Sequence, residues 1–207
     1  MKKILFITVV CFWGCFITKA QKKSDLTAQP QVVLLNYHIL QGGKKIGWMK
    51  VNKKQNGALK TIDMVSEIRT RKILMINVST KDSCSFDNST MLFASQFRTL
   101  NGNISLDKQT NRMGTHYEVL QGGRKKQLQS GTITHNLLSL YAQEPINVKQ
   151  VYCESDERFA NITRTKEGGY KVYFKNGDSN CYFYEGGVCS RVVVKHSFYA
   201  AEIVLLK

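Results

Sequence analysis

Proline is almost missing from this chain of 207 residues, with only Pro30 and Pro145 present. The long stretch between them can therefore form hydrogen-bonded ladders without losing a donor. A second long apolar run is also missing: after "ILFITVVCFWGCFI", Ile4 to Ile17, no segment is long enough to cross a bilayer as a helix, so the mature chain is expected to be soluble. Catalytic signatures are absent too. There is no G-x-S-x-G elbow, no H-E-x-x-H and no Walker loop, and "GGKKIG" spaces its glycines and lysines wrongly for a phosphate cradle. No C-x-x-C occurs, which removes zinc ribbons and thioredoxin-like redox pairs. His38, His116, His135 and His196 are scattered without metal-ligand spacing, and the acidic run Glu154–Glu157 in "CESDER" reads as a polar turn. These absences predict a protein that is not an enzyme and has no cofactor and no metal.

The chain begins with an address. Lys2 and Lys3 precede the apolar run, and "TKA" puts the small Ala20 before Gln21, the pattern of a cleaved secretory signal over residues 1–20. Bulky Phe12 and Trp13 fit a lipoprotein signal badly, which argues against anchoring at Cys15. The expected organisation is a signal at 1–20, an N-terminal segment at 21–31 and one β domain at 32–207, secreted or periplasmic. Loss of Lys2, Lys3 and Lys19 takes 30 basic residues to 27 against 15 acidic, a net charge of +12. Export makes nucleic acid an improbable partner for that charge, and an anionic envelope component the natural one. A monomer is expected. Cys84, Cys153, Cys181 and Cys189 remain after cleavage, where pairing is chemically allowed, and four cysteines permit three connectivities. A three-residue tip at Glu185–Gly187 would set Cys181 diagonal to Cys189 on one face, near enough for a strained bridge. Free thiols, or bridges to Cys84 and Cys153, fit equally well.

Turn signals dominate what is left. Gly-Gly stands at positions 42, 122, 168 and 186, and Asn-Gly at 56, 101 and 176; both dipeptides suit tight hairpins whose central residues need positive φ. "YKVYFK", Tyr170 to Lys175, alternates apolar and basic faces as a half-buried strand does. "YHILQGGKK" from Tyr37 returns as "YEVLQGGRK" from Tyr117. The likeness stops just past the turn, which makes it one good hairpin used twice, not a duplicated domain. A single helix is expected over Thr134–Pro145, with Leu137, Leu140 and Tyr141 on one face, Thr134 as cap and Pro145 as stop. About ten to twelve antiparallel strands then form a mainly β fold, a curled meander sheet closing into a half-barrel or open barrel.

From Asn36 to the end, the order of elements resembles a group of exported bacterial domains of unknown function. Those residues are an aromatic-led strand, Gly-Gly, "KKIGWMKV", further strands, the leucine-rich "HNLLSLYAQEP" and a strand-turn-strand finish. The resemblance implies a curled antiparallel sheet, distantly similar to the half-barrels of periplasmic lipoprotein carriers and lipid-binding envelope proteins. It brings no catalytic residue. The expected function is a non-catalytic envelope protein holding an apolar or lipid-like ligand in a half-barrel cavity, with Trp48, Leu137, Leu140 and Tyr141 as candidate ligand contacts. The alternative is a basic surface adaptor without a cavity, binding anionic envelope polymers or a protein partner. Its patch would join Lys44, Lys45, Lys53, Lys54, Arg124, Lys125 and Lys126, provided their hairpin tips share one end of the sheet.

Overall fold

The computed structural model describes residues 29–71, 75–128, 130–197 and 199–207. The expected leader, with Cys11 and Cys15, lies outside these residues. Eight strands come first: β1 (Gln31–Gln41), β2 (Lys44–Asn56), β3 (Leu59–Arg71), β4 (Met75–Asp87), β5 (Thr90–Leu100), β6 (Asn103–Met113), β7 (His116–Gln121) and β8 (Arg124–Leu128). One helical turn, α1 (Ser139–Ala142), follows. Six strands complete the chain: β9 (Gln150–Cys153), β10 (Arg158–Arg164), β11 (Tyr170–Tyr173), β12 (Ser179–Glu185), β13 (Val188–His196) and β14 (Tyr199–Leu205). All join one antiparallel sheet in the order β8-β7-β6-β5-β4-β3-β2-β1-β14-β13-β12-β11-β10-β9. Each strand pairs with its chain neighbour except at the centre, where β1 meets β14 with Tyr37 opposite Leu205. The mainly β, curled, open sheet is as expected, with two strands more than the highest count and much less helix.

The hairpins explain the connectivity. Gly42 and Gly43 sit at φ +55° and +76°, and Gly122 and Gly123 repeat those two angles. Both positive values belong to a type I′ turn, whose twist matches the strands it joins. The repeated "LQGG" is thus one turn made twice. Its leading tyrosines also act alike: Tyr37 and Tyr117 are both buried, and each hydroxyl donates to a carbonyl 2.9 Å away, of Cys189 and Met91 respectively.

Four register shifts, at Ile39/Leu40, Ser85/Phe86, Arg98/Thr99 and Phe183/Tyr184, add the local twist that rolls the sheet. The roll brings the β9–β10 turn beside β6 and β8: Lys108 and Lys126 reach Glu157 at 2.9 and 2.7 Å. The strand edges themselves do not pair. Chain between β8 and β9 stands in the gap instead. The Met91 amide donates to the Ile133 carbonyl, the Leu137 amide to Tyr152, and the Tyr152 amide to His135.

The end of the barrel with the Gly42–Gly43 and Gly122–Gly123 turns is here the upper end. The Asn56–Gly57 and Gly186–Gly187 turns mark the lower. The gap-filling segment enters the lower half, and α1 becomes its core. Leu140 has no exposed surface, Tyr141 packs edge-on against Tyr37 and Tyr182 at 5.9 and 5.7 Å, and the Tyr184 hydroxyl donates to the Leu140 carbonyl at 2.6 Å. Burial of these rings and of Val51, Ile62 and Val192 supplies the main stabilisation, roughly 1.5–3 kcal/mol for each large apolar side chain.

The expected helix over Thr134–Pro145 is corrected to four residues. The backbone before Ser139 is committed to the β9 edge, and Asn136 makes the starting turn: its Oδ1 accepts from the Ser139 amide at 2.9 Å. Gln143 is already extended. The tip at Gly186–Gly187 is a two-residue turn, so Tyr184 faces Cys189 and Cys181 faces Val193. The bulge turns Cys189 into the core, where burial pushes its thiol up to about 12. Cys181 meets Gly169 on the other side of the strand, and all four described cysteines are free thiols. No helix among the described residues is long and apolar enough to cross a membrane.

Candidate functional site

Above α1 the barrel is hollow. A cavity of about 780 Å³ opens toward the upper end, floored by Asn136, Leu137, Leu138 and Tyr141. Period-two alternation decides what lines it. On one side Ile46 of β2, Met64 and Ile68 of β3, Ile76 and Val78 of β4, and Ala201 and Ile203 of β14 form an apolar wall. On the other, the same inward phase brings Thr80 and Asp82 of β4, then Gln96 and Arg98 of β5, with Glu154 and Ser155 from the β9–β10 turn. Register ties these together: Met64 faces Asp82 across β3 and β4, and Asp82 faces Gln96 across β4 and β5.

The polar wall is under-satisfied. Asp82 Oδ1, Gln96 Oε1 and Asn180 Oδ1 are buried oxygens without a hydrogen-bond partner among the described residues. Glu154 is almost fully buried and receives the Asn136 amide at 2.5 Å. Burial lifts its carboxyl to about 7, and the nearby Asp82 charge adds to the rise. Burial likewise lifts Asp82 to about 6, against the pull of Arg98, of the Gln96 side chain and of the Phe97 backbone. Lys108 lies close but is spoken for: its ammonium donates to the Glu154 and Ser155 carbonyl oxygens and pairs with Glu157.

At the mouth, His196 Nδ1 lies 2.9 Å from Asp178 Oδ2, and the imidazole stacks on Tyr199 at 4.7 Å. Asp178 Oδ1 accepts from both the Ser197 amide and its hydroxyl, tying the β11–β12 turn to the β13–β14 turn. This pair is a structural clasp on the rim. Among the described residues no group of three His, Cys, Asp or Glu side chains is arranged to hold a metal ion. The buried thiols of Cys84, Cys153 and Cys189 are all pushed up by burial, which suppresses the thiolate a nucleophile needs.

Of the four candidate ligand contacts, Leu137 and Tyr141 line the cavity. Leu140 does not, because it points the other way into the closed core. Trp48 is corrected to the outer face: Met49 and Val51 point inward, so Trp48 and Lys50 point out and meet each other at 5.6 Å. The seven basic residues divide. Lys44, Lys45, Arg124, Lys125 and Lys126 follow the two upper Gly-Gly turns, whereas Lys53 and Lys54 lie near the lower end. Lys125 and Lys126 are moreover paired with Glu118 and Glu157.

Asp82, Gln96 and Asn180 escaped the sequence reading, and Glu154 was read only as part of a polar turn. A signal for Asp82 was available: "TKDSCSF" places Thr80, Asp82 and Cys84 in phase with buried Phe86, an odd face for a strand core. Glu154, at the head of five polar residues, Glu154 to Arg158, offered none.

Residues 37–206 match the model of a family described as Domain of unknown function (DUF6134), and the chain belongs to that family. No curated protein matches it. Among solved structures it is similar to a beta-barrel-like protein of domain of unknown function DUF1849 from Brucella abortus. Identity is 9%, the alignment covers 86% of this chain and 96% of that one, and the TM-score is 0.53. That likeness is one of fold. The exported-domain resemblance therefore holds as an uncharacterised domain with a curled antiparallel sheet.

Proposed function

We propose that this member of the DUF6134 family is a non-catalytic envelope protein, exported by its leader, that carries an apolar or lipid-like ligand in the upper half of its open barrel. The observation behind this reading is the hollow itself. At about 780 Å³ it falls within the range of small-molecule sites, and one wall is built mainly of apolar side chains. A protein that needed only a core would gain by filling such a space, since each unfilled contact forfeits dispersion energy. The sequence features that support export are Lys2, Lys3, the apolar run and Ala20.

Native mass spectrometry on mature protein taken from its own host's envelope tests the proposal. The expected result is an N-terminus at Gln21 and a defined extra mass that solvent extraction removes. Retention of residues 1–20 on cytoplasmic protein would sink the export reading. Salt separates the carrier from the basic adaptor: binding in an apolar cavity should change little between 50 mM and 500 mM salt, whereas binding of an anionic polymer should fall steeply.

A further inference from the structure

We propose that the ligand is an amphiphile with a cationic amine or ammonium head, and that this head sits against Asp82 on β4 beside the unpartnered oxygen of Gln96 on β5. The inference rests on the carrier reading and narrows it.

The argument is one of charge and hydrogen-bond complementarity. The chain carries 30 basic against 15 acidic residues. Its cavity inverts that balance: Asp82, Glu154, Asp156 and Asp178 line it, and Arg98 is the one described Lys or Arg that does. Two of the four carboxylates are answered locally, Asp156 by Arg158 at 3.5 Å and Asp178 by His196 at 2.9 Å. Asp82 and Glu154 form no ion pair with any described residue.

A buried carboxylate outside an ion pair is costly to ionise, and a cation placed against it favours the charged form. Burial lifts Asp82 to about 6, against the pull of Arg98, and Glu154 to about 7, so at pH 7.5 both still present mainly negative charge to the cavity. An ammonium supplies donors for the orphaned oxygens of Asp82 and Gln96, which face each other across β4 and β5, and adds positive charge to that of Arg98 beside Asp82. A hydroxyl head offers one donor and no charge. A carboxylate or phosphate head adds acceptors and negative charge to a wall that already has an excess of both. The apolar body follows from register, because Met64 lies directly across from Asp82 and leads onto Ile68 and Val78.

Three ten-carbon probes with one tail and three heads test this at pH 7.5: decylamine, decanol and decanoate, measured by isothermal titration calorimetry on the full mature protein. Decylamine is expected to bind at least about tenfold more tightly than decanol, with decanoate weakest. In the Asp82→Asn variant the amine preference over decanol should shrink to within about threefold, with an unchanged circular dichroism spectrum reporting that the variant is folded. Equal binding of amine and alcohol by the unaltered protein, tighter binding of decanoate, or an undiminished amine preference in D82N would each overturn the inference and leave the carrier reading standing. Failure of all three probes to bind would remove the carrier reading, and this inference with it.

Discussion

Strand β4 enters the lower half of the barrel with Cys84 and Phe86, both sealed from solvent, and the upper half with Thr80, Asp82 and Val78, which face open space. The same contrast runs around the wall. β3 presents Ile62 to a packed core and Ile68 to a cavity. Strand alternation decides which face of a residue is inside, but not whether the inside is full. That is settled by one stretch of chain, the segment between β8 and β9, which fills the lower half and stops at Asn136–Tyr141.

If that contrast is right, removing bulk from the two halves should have unequal costs. Leu140→Ala, at the centre of the filler, is expected to lower unfolding free energy in urea by about 2–5 kcal/mol, whereas Ile76→Ala at the cavity mouth should cost under about 1 kcal/mol. Equal losses would mean that the upper half is packed as tightly as the lower.

Next in size is a pH effect at the boundary between the halves. Glu154 faces Asn136, with Asp82 and Lys108 nearby, and its carboxyl is raised from 4.5 to about 7. The folded state holds this proton more firmly than the unfolded chain, so Glu154 favours folding fully below about 4.5, and that contribution is lost as pH rises to about 7. Glu157 works oppositely, since hydrogen bonds from Lys126 and Lys108 lower its carboxyl, and its share is lost as the medium turns acid. Between pH 5 and pH 7.5 the protein should lose roughly 1–3 kcal/mol that Glu154→Gln does not lose, read from urea midpoints at the two values. A wild-type curve parallel to that of E154Q would place this carboxyl in solvent.

Tyr117→Phe is a smaller probe of the filler's attachment. The phenol accepts from the Ile133 amide at 3.3 Å and donates to the Met91 carbonyl, so its loss should cost about 1–2 kcal/mol in the same assay. A pair of enlarging substitutions sharpens the comparison most. Ala94→Phe, in the packed region, should destabilise by about 1–3 kcal/mol, whereas Ala201→Phe, facing the hollow, should change stability by less than about 1 kcal/mol while abolishing decylamine binding.

The sheet was legible because turns and alternation are local. Gly42–Gly43 and Gly122–Gly123 sit where their sequence says they must, and Tyr170 and Val172 are buried as their alternation predicts. The strand count was harder to read because the upper barrel has a polar interior. "MINVSTKDSCSFD" looks like loop until Asp82 is known to face a cavity. The helix was misjudged at Thr134 because capping propensity is local, whereas the competing bonds to β9 come from residues far along the chain. Trp48 was misplaced for a similar reason: its exposure depends on a bulge at Ile39/Leu40 that neither strand signals alone. Charge patterns carried least, since neither the division of the basic residues nor the burial of Glu154 can be seen without the roll of the sheet.

The β1–β14 joint sets an order of events in time. Each of strands β2 to β8 pairs with the strand before it in the chain, and so does each of β10 to β14. Two ribbons can therefore grow from their own hairpins while the middle of the sheet is still vacant. Only when Tyr37 finds Leu205 do they become one wall, and only then does Tyr37 reach the Cys189 carbonyl and close around Tyr141. Contacts so distant in sequence are slow to meet, so the barrel's most central seam should be its last to close and should govern the folding rate.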